Sequence, residues 1–221
     1  MRLKKIFVLV FISLFGFSLN AVSINPPKGE IDNFVAFCKV YGYVRYFHPS
    51  DEASEIDWNK FAVWGIKKVK GISEKDKLVH SFNSMFKPIA PTVEFSTTPF
   101  PKNYKPSYDA PKNNRNAKTT CWQHFGVQGI DSNSPYKSIR TNRISGGTLF
   151  TATAKTDDCI TDKLGENLNC MVPLCLYIAD SATFPKSDPT MLNRLKDDLM
   201  QINLNDTTLE NKIASVIITW N

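Results

Sequence analysis

The sequence predicts an α+β fold, with an N-terminal helical subdomain, then a β-sandwich-like domain, then C-terminal helices. Three observations carry this reading. From Glu30 to Phe86, apolar residues recur at helical spacing in three blocks separated by stop signals. From Thr92 that period gives way to short β-favouring runs joined by long connections. From Asp188 the helical period returns. The expected divisions are 1–23 as a signal peptide, 24–91 as the helical subdomain, 92–186 as the sandwich-like domain and 187–221 as the closing helices. With 42% hydrophobic residues over 221 positions the chain can bury a core, which excludes a disordered or fibrous protein.

Met1 to Lys5 is positively charged, Ile6 to Phe17 is almost continuously apolar, and Ala21-Val22-Ser23 is small. Charged, apolar and small regions in that order are the pattern of a secretory signal, with cleavage expected after Ser23 or Ala21. The apolar run is short for a membrane span, so no membrane association is expected after cleavage. An exported location follows, whether periplasmic, outer-surface or secreted. Of the formal charge of +6, Arg2, Lys4 and Lys5 supply +3, and no acidic residue precedes Glu30. The remainder is only mildly basic, a poor basis for a nucleic-acid partner.

In the first helical block Ile31, Phe34, Val35, Cys38, Tyr41 and Val44 share a face, widened by Phe37, Val40, Tyr43 and Phe47. So broad a stripe predicts a helix buried on most sides, stopped by His48-Pro49. Asp57 is placed to cap a second helix with Trp58, Phe61, Ala62, Ile66 and Val69 inward, and Gly71 to end it. Ser73-Glu74-Lys75-Asp76 reads as a capping box for a third, with Leu78, Val79, Phe82 and Phe86 as its stripe.

Val93-Glu94-Phe95 is a short strand candidate, and Pro99 to Asn116 a long loop. Ala117 to Val127, Tyr136 to Ile144, Leu149 to Ala154 and Asn169 to Ile178 are further strands, with Gly146-Gly147 a turn. In the last of these strands Cys170, Val172, Leu174 and Leu176 alternate onto one face. Asp188-Pro189 opens a helix with Leu192, Leu195, Leu199 and Ile202 inward. After Asn205-Asp206 a last helix presents Leu209, Ile213, Val216, Ile217 and Trp220. Its apolar stripe runs to the final turn, which suggests the truncated start of a further domain.

Five cysteines are present, and export places them in an oxidising compartment. If one bridge forms, Cys159–Cys170 is the pair whose intervening loop could close a hairpin; the alternative is that all five are unpaired and mostly buried. Their spacing fits no zinc pattern, and the sequence implies no cofactor. Asp157, Asp158 and Asp162 lack the glycine and spacing of a calcium loop.

A serine nucleophile needs a strained turn, a base and an oxyanion hole. Gly-x-Ser-x-Gly is absent, and Ser145-Gly146-Gly147 reads as a hairpin turn. His48 reads as a helix-stop residue and His80 as exposed. His124, three residues from Cys121, would face the opposite side of a strand, which argues against a hydrolytic pair. No catalytic residue is therefore assigned. The binding candidates are Trp122 and His124, with the aromatic and basic cluster Tyr136, Arg140 and Arg143, which could equally be a solvated edge strand.

Phe37-Cys-Lys-Val-Tyr-Gly-Tyr-Val-Arg-Tyr-Phe-His-Pro49, followed by Ile56-Asp57-Trp58, resembles the opening of exported bacterial serine peptidases of the tail-specific, C-terminal-processing family. Trp122-x-His124-x-Gly126, Tyr136-x-Ser138-x-Arg140, Val172-Pro-Leu174-x-Leu-Tyr177 and Trp220-Asn221 fit the same region of its larger members. The resemblance covers most of the chain after Pro27 and brings no catalysis. The family's serine nucleophile and lysine base lie in a later domain, and neither can be matched here. It implies a non-catalytic region that packs on a peptidase catalytic domain or helps bind substrate. The alternative is a free-standing extracytoplasmic module holding a peptide or glycan.

Overall fold

The computed structural model of the chain describes residues 28–108, 110–112, 118–125, 138–143 and 153–221. The predicted leader, Tyr136, the Gly146-Gly147 turn and residues 149–152 of the next predicted strand lie outside them. The fold class is α+β, with helices first, strands next and helices last.

Helix α1 (Lys28–Phe47) ends where His48-Pro49 was expected to stop it. Phe34, Phe37, Val40, Tyr41 and Val44 are buried, but Ile31 is 45% and Val35 49% exposed. One side of α1 therefore faces solvent, contrary to the breadth of its apolar stripe. A one-turn helix, α2 (Asp51–Glu55), follows; five residues are too few for a period to register in sequence. The Asp57 side chain accepts from the Asn59 and Lys60 amides, both at 3.0 Å, and starts α3 (Trp58–Val69). Gly71, at φ 72°, turns the chain out of it in a conformation that costs glycine nothing. Helix α4 (Lys75–Phe86) forms without the expected capping box, since no side chain caps it and the Glu74 carboxylate is held by Lys77 at 2.6 Å.

Among the described residues, seven strands make two antiparallel sheets. The first has the order β1 (Glu94–Ser96), β5 (Leu168–Pro173), β4 (Cys159–Gly165). The second has the order β3 (Ser138–Arg140), β2 (Thr119–His124), β6 (Cys175–Ala179), β7 (Ala182–Phe184). The run predicted as one strand from Asn169 to Ile178 divides at Leu174. Pro173 has no amide for the ladder, and the Leu174 amide bonds instead to the Asp158 carbonyl at 3.0 Å. The chain thereby passes from the first sheet to the second. Thr153 and Ala154, the described end of the run predicted as a strand from Leu149, belong to no strand.

Leu168, Cys170 and Val172 on one face of β5 share a single core with α1, α3 and α4. Helices, not the second sheet, cover this face, which is where the fold departs from a plain sandwich. Lys39 Nζ at 2.9 Å and the Tyr43 hydroxyl at 3.0 Å both donate to Asp162, tying α1 to β4. Helices α5 (Pro189–Met200, capped by Asp188) and α6 (Leu209–Trp220) pack on α3. Leu195, Leu199, Ile202, Ala214 and Ile217 join the same core, so the C-terminal helices complete the helical layer. On α6, however, Leu209, Val216 and Trp220 are exposed. Among the described residues no helix is long and apolar enough to cross a membrane.

The predicted Cys159–Cys170 bridge is not formed. The two lie on paired strands, but the register sets Cys159 opposite Pro173 and Cys170 opposite Asp162. An offset of three positions along a strand is roughly 10 Å, beyond the reach of a disulfide.

Candidate functional site

The segment after α1 leads straight into the interior. His48 is buried, with Nδ1 3.0 Å from Ser50 Oγ and Nε2 2.8 Å from Thr92 Oγ1. A neutral imidazole has one donor and one acceptor nitrogen, which two hydroxyls can match. Burial, aided by the charge of Lys87, pushes its pKa down to about 3. His48 is thus a neutral structural plug at the junction of α1, α2 and the loop before β1. An unfolded histidine titrates near 6.5, so below that pH the unfolded state takes up a proton that the folded state refuses. Stability is expected to fall as pH drops from about 6.5 towards 3, by about 2 kcal/mol at pH 5. Urea denaturation at pH 7 and pH 5 checks this, with His48→Gln expected to lose most of the difference.

Ser50 caps α2 and sets Asp51 at its first position. The Asp51 carboxylate accepts from Arg140 Nη1 at 2.8 Å, from the Thr183 amide at 2.9 Å and from Arg143 Nη2. Its own amide donates to Thr183 Oγ1 at 3.0 Å. Arg140 also reaches the Pro49 carbonyl at 3.0 Å, and Arg143 the Ser181 carbonyl at 2.8 Å. One carboxylate thereby staples α2 to both edges of the second sheet. Of the two alternatives the sequence left open for Arg140 and Arg143, a binding face or a solvated edge, the solvated edge does not describe them, because their guanidinium groups point inward onto Asp51. Burial acts to raise the Asp51 pKa, but the Thr183 amide and the two guanidinium groups outweigh it and hold the carboxyl below its usual range.

Trp122 stands directly opposite Arg140 in the β2–β3 ladder. Its indole nitrogen donates to the His48 carbonyl at 3.2 Å, and the Arg140 guanidinium carbon lies 5.7 Å from its ring centroid. His124, two residues on and so on the same face, stacks on Trp122 at 6.2 Å with 19° between the rings. Phe47 meets the His124 ring in an edge arrangement, with centroids 5.2 Å apart. Burial lowers the His124 pKa, against an opposing hydrogen bond that the imidazole donates to the Tyr46 backbone. The structure therefore brings Trp122, His124, Arg140 and Arg143 into one neighbourhood, while Tyr136 lies outside the described residues. Cys121 faces away from this group, with its amide bonded to Thr141 Oγ1 at 3.0 Å. Sequence reasoning missed Asp51; the only local hint was an acidic residue just after a helix stop.

Phe47 also forms one wall of a cleft of about 500 Å³ between α1 and α6, lined by Gly42, Tyr43, Tyr46, Phe47, Trp220 and Asn221. Asn221 Nδ2 donates to the Cys38 carbonyl at 3.3 Å. A Cβ at position 42 would overlap the Asn221 carboxamide, so glycine there lets the two helices meet. Trp220, beside it, is 81% exposed and Val216 67%.

The acidic trio is dispersed. Asp157 pairs with Lys105 at 2.5 Å, Asp158 accepts from the Lys155 amide at 2.8 Å, and Asp162 is held by Lys39 and Tyr43. No group of His, Cys, Asp or Glu suited to a metal occurs among the described residues. No known family, curated protein or solved structure matches the chain.

Proposed function

We propose that the chain is the non-catalytic N-terminal region of an exported serine peptidase-like protein, and that it packs on a catalytic domain through the face where α1 and α6 meet. The observation that carries this reading is the apolar surface there, Trp220 and Val216 beside a cleft walled by Tyr43, Tyr46 and Phe47. Large apolar groups exposed together beside a cleft mark an interaction surface. The first and last segments that resemble the tail-specific peptidases meet at this face, since Gly42 lies against Asn221. The chain itself has no assigned catalytic role. His48 is occupied by two hydroxyls, and Cys121 and His124 face opposite sides of β2. A free-standing module binding peptide or glycan would rest on Trp122 and His124 among the described residues, because Asp51 engages both arginines.

The test titrates the purified chain with a catalytic domain of the tail-specific family from the same host, by calorimetry. Saturable binding is expected, and Trp220→Glu should weaken it at least about tenfold, as for an anchoring aromatic. The chain alone should not turn over unfolded protein or C-terminal peptides. Absence of binding by folded wild-type chain, or turnover abolished by Cys121→Ala or His124→Ala, would overturn the reading.

A further inference from the structure

Cys121 of β2 and Cys175 of β6 are directly opposite each other in an antiparallel ladder. The kind of pair they form can be read from the backbone. One end of that ladder carries a bond from the Ile178 amide to the Lys118 carbonyl at 2.8 Å, so 118 and 178 are a hydrogen-bonded pair. Hydrogen-bonded and non-hydrogen-bonded pairs alternate, which makes 120 with 176 bonded and 121 with 175 non-bonded. Three further contacts agree. The Cys121 amide and carbonyl both turn to the other neighbour, bonding Thr141 Oγ1 at 3.0 Å and the Thr141 amide at 2.9 Å. The Cys175 carbonyl is taken by the Tyr108 hydroxyl.

In non-hydrogen-bonded pairs the Cα atoms approach to about 4.5 Å, with both side chains on one face, inside the range that a disulfide spans. Both residues are buried. Burial pushes the Cys175 thiol up to about 11, with the Thr119 hydroxyl opposing and the neighbouring Cys121 adding to the rise. Cys38 lies against Asn221 on α1, and Cys159 and Cys170 are out of register, so this is the cysteine pair that the sheet aligns.

We propose that Cys121 and Cys175 form a cross-strand disulfide that locks the centre of the second sheet, made in the oxidising compartment to which the proposed export would deliver the chain. The oxidant is a small or protein disulfide. One cysteine thiolate attacks it, forming a mixed disulfide and releasing one thiolate. The second cysteine then attacks the mixed disulfide and releases the other. Two electrons pass from the cysteines to the oxidant, and their two protons end on its two thiols. Because both folded thiols are buried and the Cys175 thiol is pushed up, the bond forms while the strands are pairing and slowly thereafter.

The full chain, reduced and unfolded, is refolded in a glutathione redox buffer or in dithiothreitol, alkylated and mapped by mass spectrometry. Expected is a peptide pair joined through Cys121 and Cys175, lighter by two hydrogens, with Cys38, Cys159 and Cys170 alkylated. Titratable thiols fall from five to three, and the bridged form melts roughly 5–10 °C above the reduced one. Cys121→Ala and Cys175→Ala should each abolish the linked peptide. A Cys159–Cys170 peptide, scrambled pairs or five alkylated thiols would overturn the proposal. Since the buffer supplies the oxidant, this outcome does not depend on export, which is tested separately by the N-terminus of the protein from its host.

Discussion

Phe37→Ala is expected to cost about 3–5 kcal/mol, the usual range for deleting a buried aromatic ring. Phe37 is fully buried, with ring centroids 6.1 Å from Tyr41, 6.2 Å from Phe61 and 6.1 Å from Phe86. It joins α1 to α3 and α4, and rigid helices on three sides can only partly collapse into the void. Whole-domain stabilities are about 5–15 kcal/mol, so the loss is a large share of the total. The melting temperature should drop by roughly 6–20 °C. The site has an internal control at Gly65, where a Cβ would overlap the Phe37 ring. Gly65→Ala alone should destabilise by overpacking. Combined with Phe37→Ala, its methyl enters vacated space, so the double variant should lose less than the sum of the two. Urea denaturation of the three variants measures this. An unchanged midpoint for Phe37→Ala would remove Phe37 from the core, and strict additivity would remove the contact.

The helices were legible where a local cause fixes them. Asp57 and Asp188 cap their helices with their own side chains, and Gly71 ends α3 with a positive φ, all visible within a few residues. Apolar stripes located the core less well than they located the helices. Val35 and Val216 fit helical stripes yet face solvent, because periodicity shows which residues share a face, not whether anything covers it. Strand β4 was missed since Thr161, Asp162 and Lys163 give it no apolar alternation, and its pairing with β5 supplies what the residues lack. The site was the least legible part. Trp122, His124 and the two arginines stood out by residue type, but their partners are remote. Arg140 meets Asp51 across 89 positions and Thr183 meets it across 132, distances at which no local pattern carries information. The sequence resemblance pointed to the α1 segment and the Trp220-Asn221 pair separately, and only the packing of α6 on α1 through Gly42 joins them.

Asp51→Ala is expected to destabilise by about 3 kcal/mol, at the lower end for breaking a buried ion pair, because it strands two guanidinium groups. The side chains of Asp51, Arg140 and Arg143 are only 17%, 14% and 19% exposed, so solvent compensates little. The variant also leaves the Thr183 amide without its acceptor. Asp51→Asn keeps the shape but loses the charge and should fall between wild type and alanine. A carboxyl whose folded pKa is depressed contributes stability that is present above its unfolded pKa, near 4, and is lost as pH falls through the lower folded value. The Asp51 contribution should therefore be constant from pH 7 to about 5 and vanish in stronger acid. This separates it from His48, whose effect begins near 6.5. Denaturation midpoints at pH 7, 5 and 3 distinguish the two: Asp51→Ala should run parallel to wild type between pH 7 and 5, then converge with it below. Asp51→Ala should also cost less in an Arg140→Ala background, since the partner is already gone. A wild-type midpoint for Asp51→Ala at pH 7 would show that the staple between α2 and the second sheet carries no stability and return Arg140 and Arg143 to the role of surface ligands.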